Sequence, residues 1–197
     1  MQDLYQYDLS LFHLINQAWT HPALDAFFPW WTDFHKTSFF AYAFVPLVLV
    51  CIFLRAKWSG LLFLVVSLIA VGIDDGFCGQ IVKPYFARLR PPVAGIDVIL
   101  RAAHYGGYSF PSNHAANTFC LAAFVGVYYP RLRIPLFFLA ALTAYSRVYC
   151  GVHYPSDVIG GALLGALLGW VLARLFRPVW AKIHERVRSK ENAWQKS

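Results

Sequence analysis

Charge is scarce in this chain, and negative charge is the scarcer kind. Of 197 residues only 14% are charged, with 10 Asp and Glu against 17 Lys and Arg, while 58% are hydrophobic and 18% aromatic. A solvent-surrounded globule is excluded by that balance, which is far more apolar than soluble domains show. Paired cysteines are also lacking. Cys51, Cys78, Cys120 and Cys150 form no C-x-x-C unit, so no zinc or iron–sulfur centre and no metal ligands are expected. The four read as small buried hydrophobes, with a Cys78–Cys150 disulfide as the pairing their helix ends would allow. Met1-Gln2-Asp3 carries no cationic run and no small-residue cleavage site follows an early apolar core. No secretory leader is therefore expected, and the apolar spans themselves would target the protein. Internal repeats and low-complexity tracts are missing too. The net charge of +7 comes without a separate basic domain, which argues against a nucleic-acid partner and for a membrane surface.

What the chain does have is a series of long apolar runs. Residues 37–54 and 60–82, joined by Arg55-Ala56-Lys57, are long enough to span, since roughly 20 residues at about 1.5 Å rise cross the hydrocarbon layer. Further spans are expected over 114–129, 134–150 and 157–175, with Arg131 and Arg133 in the link between the first two. At the start, Leu4, Leu9, Leu11, Phe12, Leu14 and Ile15 mix with Asp3, Asp8 and Asn16 as an interfacial amphipathic helix would. Residues 23–34 fit a short or re-entrant sixth segment, and Trp19, Trp30 and Trp31 fit an aromatic belt. The expectation is an all-α, polytopic integral membrane helix bundle of five to six transmembrane helices with an N-terminal amphipathic helix. It would be one domain over 1–197: interfacial or re-entrant helices over 1–36, a transmembrane core over 37–176 and a basic cytoplasmic tail over 177–197. Arg55, Lys57, Arg131, Arg133 and the tail fall on one side of a five-span bundle, which the positive-inside rule makes cytoplasmic. The loops after the second and fourth spans then share the opposite face. In a bacterial inner membrane that face meets the periplasm or the cell exterior.

Those outward loops hold the cations. Lys83, Arg88, Arg90, Arg101 and Arg147 face a stretch from 74 to 157 whose only carboxylates are Asp74, Asp75, Asp97 and Asp157. A buried Arg or Lys costs about 2.5 to 3.5 kcal/mol at a bilayer centre on insertion scales, so these side chains need an edge position and an anionic partner. Arg forks beside a Lys point charge suit a phosphoryl group better than a halide or a metal.

The same loops run into helix starts. Pro111-Ser112-Asn113-His114 immediately precedes one span and Tyr154-Pro155-Ser156-Asp157 opens another. Pro is favoured in a first turn, where its missing N–H would be unpaired, and both N-termini carry partial positive charge. His153 and Asp157 lie four apart, so the carboxylate can accept from one imidazole nitrogen while the other is left to attack phosphorus. His114 is suited to protonating a leaving oxygen.

Taken together, Lys83 with Arg90-Pro91 after six residues, Pro111-Ser112-x-His114, and Ser146-Arg147 followed by His153 and Asp157 resemble the motifs of the type 2 phosphatidic acid phosphatase superfamily. That family includes bacterial lipid phosphatases and is related to vanadium-dependent haloperoxidases. The resemblance implies a metal-independent, cofactor-free phosphatase with a phosphohistidine formed on His153, oriented by Asp157, with His114 as general acid and Lys83, Arg90, Ser112 and Arg147 holding phosphate. Asn113 stands where the family usually has Gly; its backbone N–H can still donate, and Asn tolerates left-handed angles, so a changed pocket shape is expected rather than lost chemistry.

Arg88, Arg101, His104 and Tyr105 are candidates for contacts to the substrate head. The family resemblance implies a phospholipid or polyprenyl (pyro)phosphate as substrate, among them undecaprenyl pyrophosphate, phosphatidylglycerol phosphate, phosphatidic acid and the phosphate of lipid A. A phosphotransferase with a lipid acceptor in place of water remains open, and the residues alone also admit an anion transporter, although neither duplicated halves nor broken midplane helices are visible. Asp74 and Asp75 read as counter-charges to Lys83 or Arg147 rather than as a proton relay. Gly161, Gly165 and Gly169 repeat every four residues, a small-residue face for packing within the bundle or for a homodimer contact.

Overall fold

The computed structural model of the protein describes residues 2–103 and 105–194, with side chains over 3–103 and 105–187. Among the described residues every regular element is helical. Helix α1, Gln2–His13, passes into a π turn over Leu14–Ala18. Its Phe12 and Ile15 are buried with Tyr149, Val152 and Tyr154, while Leu4 and Tyr7 face outward. Helix α2, Pro22–Asp33, starts with proline in its first turn, where His21 Nδ1 accepts from the Ala23 N–H at 3.2 Å. Both devices satisfy the donor-rich start of a helix.

Helix α3, Val45–Phe77, is preceded by a π turn over Phe40–Phe44 and broken at Lys57, which has φ 52° and ψ −146°. The break falls in the cationic link expected between two apolar runs. A further π turn over Cys78–Val82 leads into the short helix α4, Lys83–Phe86, which Ala87 ends in a left-handed conformation at φ 44°. Helices α5, Asn113–Tyr128, and α6, Arg133–Tyr149, have 16 and 17 residues, at the short end of the roughly 17 to 25 that cross a hydrocarbon layer. Two stretches, Phe40–Val93 and Pro155–Val187, are long and apolar enough to cross a membrane. Helix α7, Pro155–Trp194, does not stop near 175 but continues through Pro178. One missing N–H removes one rung of the ladder, and no glycine follows to end the helix.

The bundle closes where α5 lies along α7. A Cβ on Gly161 would sit 2.6 Å from the Ser112 carbonyl oxygen, and on Gly165 and Gly169 it would overlap the carbonyls of Ala116 and Cys120. Ala115, Ala116, Cys120, Ala122 and Ala123 supply the facing small side chains, all buried. This settles the glycine face as packing inside the chain; its surface is covered by α5 and is not open to a second copy. The Cys78–Cys150 pairing that the helix ends would allow is not made, since all four cysteines are free. Cys78 sits one turn from Asp74, with Sγ 3.9 Å from Oδ1, whereas Cys150 packs in the cluster around Tyr149. Cys51 is exposed rather than buried.

Candidate active site

The loop from α4 to α5 and the turn from α6 to α7 converge on a cavity of about 380 Å³. It is lined by Lys83, Arg90, Tyr105, Gly106, Asn113, His114, Arg147 and His153. The two helix starts are joined directly, since the Ser112 N–H donates to the Asp157 carbonyl at 3.0 Å. That bond brings residues more than forty positions apart in sequence to one floor.

His153 is 1% exposed. Its Nε2 lies 2.9 Å from Arg90 Nη1 and its Nδ1 lies 3.4 Å from Asp157 Oδ2. A guanidinium can only donate, so Nε2 is the acceptor and the ring proton belongs on Nδ1, facing the carboxylate. Burial is the main influence on this imidazole and pushes it down to about 3; the Asp157 hydrogen bond opposes that, and the Arg90 charge adds to it. Asp157 is itself fully buried and heavily held. Oδ2 accepts from Ser109 Oγ at 2.5 Å and from the Tyr154 N–H at 2.9 Å, and Oδ1 accepts from Arg88 Nη1 at 2.7 Å.

Three cations face the imidazole side of the cavity without carboxylate partners. Arg90 Nε donates to the carbonyls of Gly106 and Gly107, both at 3.1 Å, and Nη1 to that of Val152 at 2.9 Å. Arg147, 3% exposed, donates from Nη1 to Thr32 Oγ1 at 2.6 Å, and its Nε has no partner among the described residues. Lys83 Nζ donates to the Tyr108 carbonyl at 2.7 Å. No ion pair joins any of the three among the described residues. Of the three, Arg90 and Arg147 are buried, and buried cations without counter-charge cost several kcal/mol each, a cost that an anion in the cavity would offset.

Other expected residues are placed elsewhere. Arg88 is not turned to a substrate head; it bridges Asp157 and Asp8 within the chain. Arg101 is also corrected. Its Nε pairs with Asp25 at 2.7 Å, its Nη1 reaches the Asn16 carbonyl at 2.8 Å, and it lies over the Tyr149 ring, because the partners its guanidinium finds are on the N-terminal helices. His104 lies outside the described residues. Asn113 lines the cavity but sends its Nδ2 to Asp75 Oδ1 at 2.8 Å, where Asn117 also donates at 2.9 Å. Asp75 is thus held by two amides, not by Lys83 or Arg147, and the buried Asp74 contacts Cys78. Ser112 Oγ is buried without a partner among the described residues. A larger, mostly apolar groove of about 640 Å³ lies between α1 and the start of α7; Arg88 is the cation on its wall and its charge is already paired, so the anion-seeking site is the smaller cavity.

Sequence reasoning missed Ser109, Thr32, Asp8 and His35. The His35 ring meets His114 edge-on at 5.7 Å between centroids. All four act across long sequence separations, and only Ser109, next to the Pro111 motif, carried a local hint.

An unprotonated imidazole nitrogen held by Arg90, beside cations without carboxylate partners in an apolar helical bundle, is an arrangement suited to phosphate chemistry. The chain belongs to the PAP2 superfamily, which it matches over residues 60–181, a span that includes every residue from Lys83 to Asp157; it is a hydrolase of that family. Its curated relatives include a lipid A 4'-phosphatase of Bacteroides thetaiotaomicron, 30% identical over 79% of this chain and 74% of that protein. Another is phosphatidylglycerophosphatase B of Bacillus subtilis, 32% identical over 79% and 74%. Among solved structures, LpxE of Aquifex aeolicus superposes with a TM-score of 0.66 at 31% identity, covering 84% of this chain and 94% of that one.

Proposed function

We propose that the protein is a membrane lipid phosphatase acting on a phosphomonoester or pyrophosphate at the outer leaflet through a phosphohistidine on His153. The observation that carries this reading is the Nε2 lone pair, unprotonated and aimed at cations that have no carboxylate of their own. Arg90 holds Nε2 until the phosphate oxygens take over its donors. Nε2 then attacks phosphorus, the bond to the leaving oxygen breaks, and His114, which carries its proton once the phosphate anion lies beside it, gives that oxygen the proton. Lys83, Arg90 and Arg147 hold the oxygens that gain charge. Neutral His114 next takes a proton from water as the water cleaves the nitrogen–phosphorus bond and releases phosphate. Asp157 keeps the proton on Nδ1 throughout and stabilises the charged ring.

The cations do the charge neutralisation a metal would supply, and no cluster of His, Cys, Asp and Glu among the described residues suits a metal ion. Five or six crossings, an interfacial α1 and a site facing the periplasm or cell exterior complete the reading, on the strength of the cationic links at Arg55, Lys57, Arg131 and Arg133.

The test is phosphate release by purified protein in detergent with EDTA, across phosphatidylglycerol phosphate, undecaprenyl pyrophosphate, phosphatidic acid and lipid A. Release from at least one lipid without metal is expected; no release from any of them overturns the reading. A second expectation concerns protonation. Because burial depresses the His153 imidazole far below its ordinary value near 6.5, lowering pH through that value leaves Nε2 unprotonated. ¹⁵N signals of the ring, assigned by their loss in His153→Gln, should stay neutral at about pH 6, and an imidazolium signal there would contradict the buried geometry.

A further inference from the structure

The Asp157 carboxylate is shared between two claimants. Oδ2 faces the catalytic imidazole, and Oδ1 accepts from Arg88 Nη1 at 2.7 Å. Whatever strengthens the hold of Arg88 weakens the carboxylate as an acceptor for the Nδ1–H of His153. Arg88 itself lies in a shaped socket, its guanidinium 3.9 Å from the Tyr154 ring centroid, with Nη1 also donating to Ser156 Oγ at 2.6 Å and Nη2 to Asp8 Oδ2 at 2.7 Å. Asp8 comes from α1, about 150 residues earlier in the chain. It does more than pair with Arg88. Its Oδ1 accepts from the backbone N–H of Ser156 at 2.8 Å and its Oδ2 from Ser156 Oγ at 2.5 Å. A carboxylate on one helix thereby caps the first turn of another, where free N–H groups and the helix dipole favour negative charge. The capped residue is the immediate neighbour of Asp157.

From this geometry we infer that Asp8 is a positioning residue for the reaction: by drawing on Arg88 and fixing Ser156, it sets how strongly Asp157 supports His153. The charges run minus, plus, minus along Asp8, Arg88 and Asp157. With Asp8 present, Arg88 is divided and Asp157 keeps acceptor strength for the imidazole that becomes charged during turnover. Without Asp8, the full cation falls on Asp157 and phosphohistidine formation is less favoured. Asp8 lies on the N-terminal helix, outside the span 60–181 that matches the family. On its exposed side the helix carries Leu4, 74% exposed, and Tyr7, 75% exposed, among Asp3, Gln6 and Ser10, and the ion pair ties its seating to the reacting dyad.

The inference rests on the phosphatase reading for its kinetic consequence but not for its spectroscopic one. Asp8→Asn keeps the size of the side chain and an acceptor for the Ser156 N–H. It should lower kcat about tenfold with KM within about twofold of wild type, measured on whichever lipid the full-length protein hydrolyses in detergent micelles. In the free protein at neutral pH, the downfield Nδ1–H proton resonance of His153 should move upfield in Asp8→Asn, because its hydrogen bond weakens. The double variant Asp8→Asn/Arg88→Gln, which restores the charge balance on Asp157, should return that resonance toward its wild-type position. An unchanged resonance and unchanged kcat in Asp8→Asn, with only a lower unfolding temperature, would overturn the inference and leave Asp8 a plain staple of α1. Absence of hydrolysis by wild-type protein would count against the phosphatase reading alone, since the resonance still decides whether Asp8 acts on the dyad.

Discussion

His153→Ala is expected to lower phosphate release by about 10⁴-fold or more, the scale seen when a nucleophile that works as part of a unit is removed, while lipid binding survives because Lys83, Arg90 and Arg147 remain. The variant should also give no acid-labile phosphoprotein when quenched during turnover; label trapped on it would place the covalent step elsewhere. His114→Ala separates the two steps. With a lipid phosphate, whose alkoxide leaves poorly unprotonated, a loss of about 10²- to 10⁴-fold is expected. With p-nitrophenyl phosphate, which leaves without a proton, the first step is spared and the phosphoenzyme accumulates, because water has lost its base. Equal losses with both substrates would remove His114 from the role of acid. The geometry behind the contrast is specific: His114 and His153 both line the cavity, but only His153 has a carboxylate at its far nitrogen.

Much of the site could be read from the chain because its parts lie at helix starts that announce themselves. Pro111 and Pro155 mark two first turns, the spacing from His153 to Asp157 predicts one hydrogen bond, and the shortage of carboxylates between 74 and 157 predicts cations in want of an anion. Periodicity and composition are local signals, and these features are local. The partners of Arg88 and Arg101 were not legible for the opposite reason. Asp8 and Asp25 belong to N-terminal helices whose seating is decided by burial of Phe12, Ile15 and Phe28 against Tyr149 and Tyr154, and nothing in a loop arginine says which distant carboxylate packing will deliver. The same holds for Asp75, whose amide partners Asn113 and Asn117 lie on another helix. The glycine repeat is an intermediate case: a spacing of four shows that one face of α7 is small, but only the fold shows that α5 covers it.

That face sets the other large effect. Gly165→Ala adds a single methyl group, yet the new Cβ overlaps the backbone carbonyl of Ala116, and a helix backbone cannot swing aside as a side chain can. The helices must separate, loosening the small-on-small contact that joins them and costing about 1 to 3 kcal/mol or more as overpacking does. The consequence reaches the chemistry because the same interface carries the hydrogen bond from the Ser112 N–H to the Asp157 carbonyl; parting α5 from α7 displaces His114 relative to His153. A fall in both unfolding temperature and phosphate release is therefore expected, with the loss of activity outlasting any rescue of stability by added lipid. Gly72→Ala is the internal control. A Cβ there meets nothing within 4 Å, and the better helix propensity of Ala, about 1 kcal/mol, should hold or raise the unfolding temperature with activity unchanged. Followed by tryptophan fluorescence in detergent, the two variants should move in opposite directions, and a Gly165→Ala protein as stable and active as wild type would show that the close approach of α5 and α7 is not what holds the two helix starts at the site.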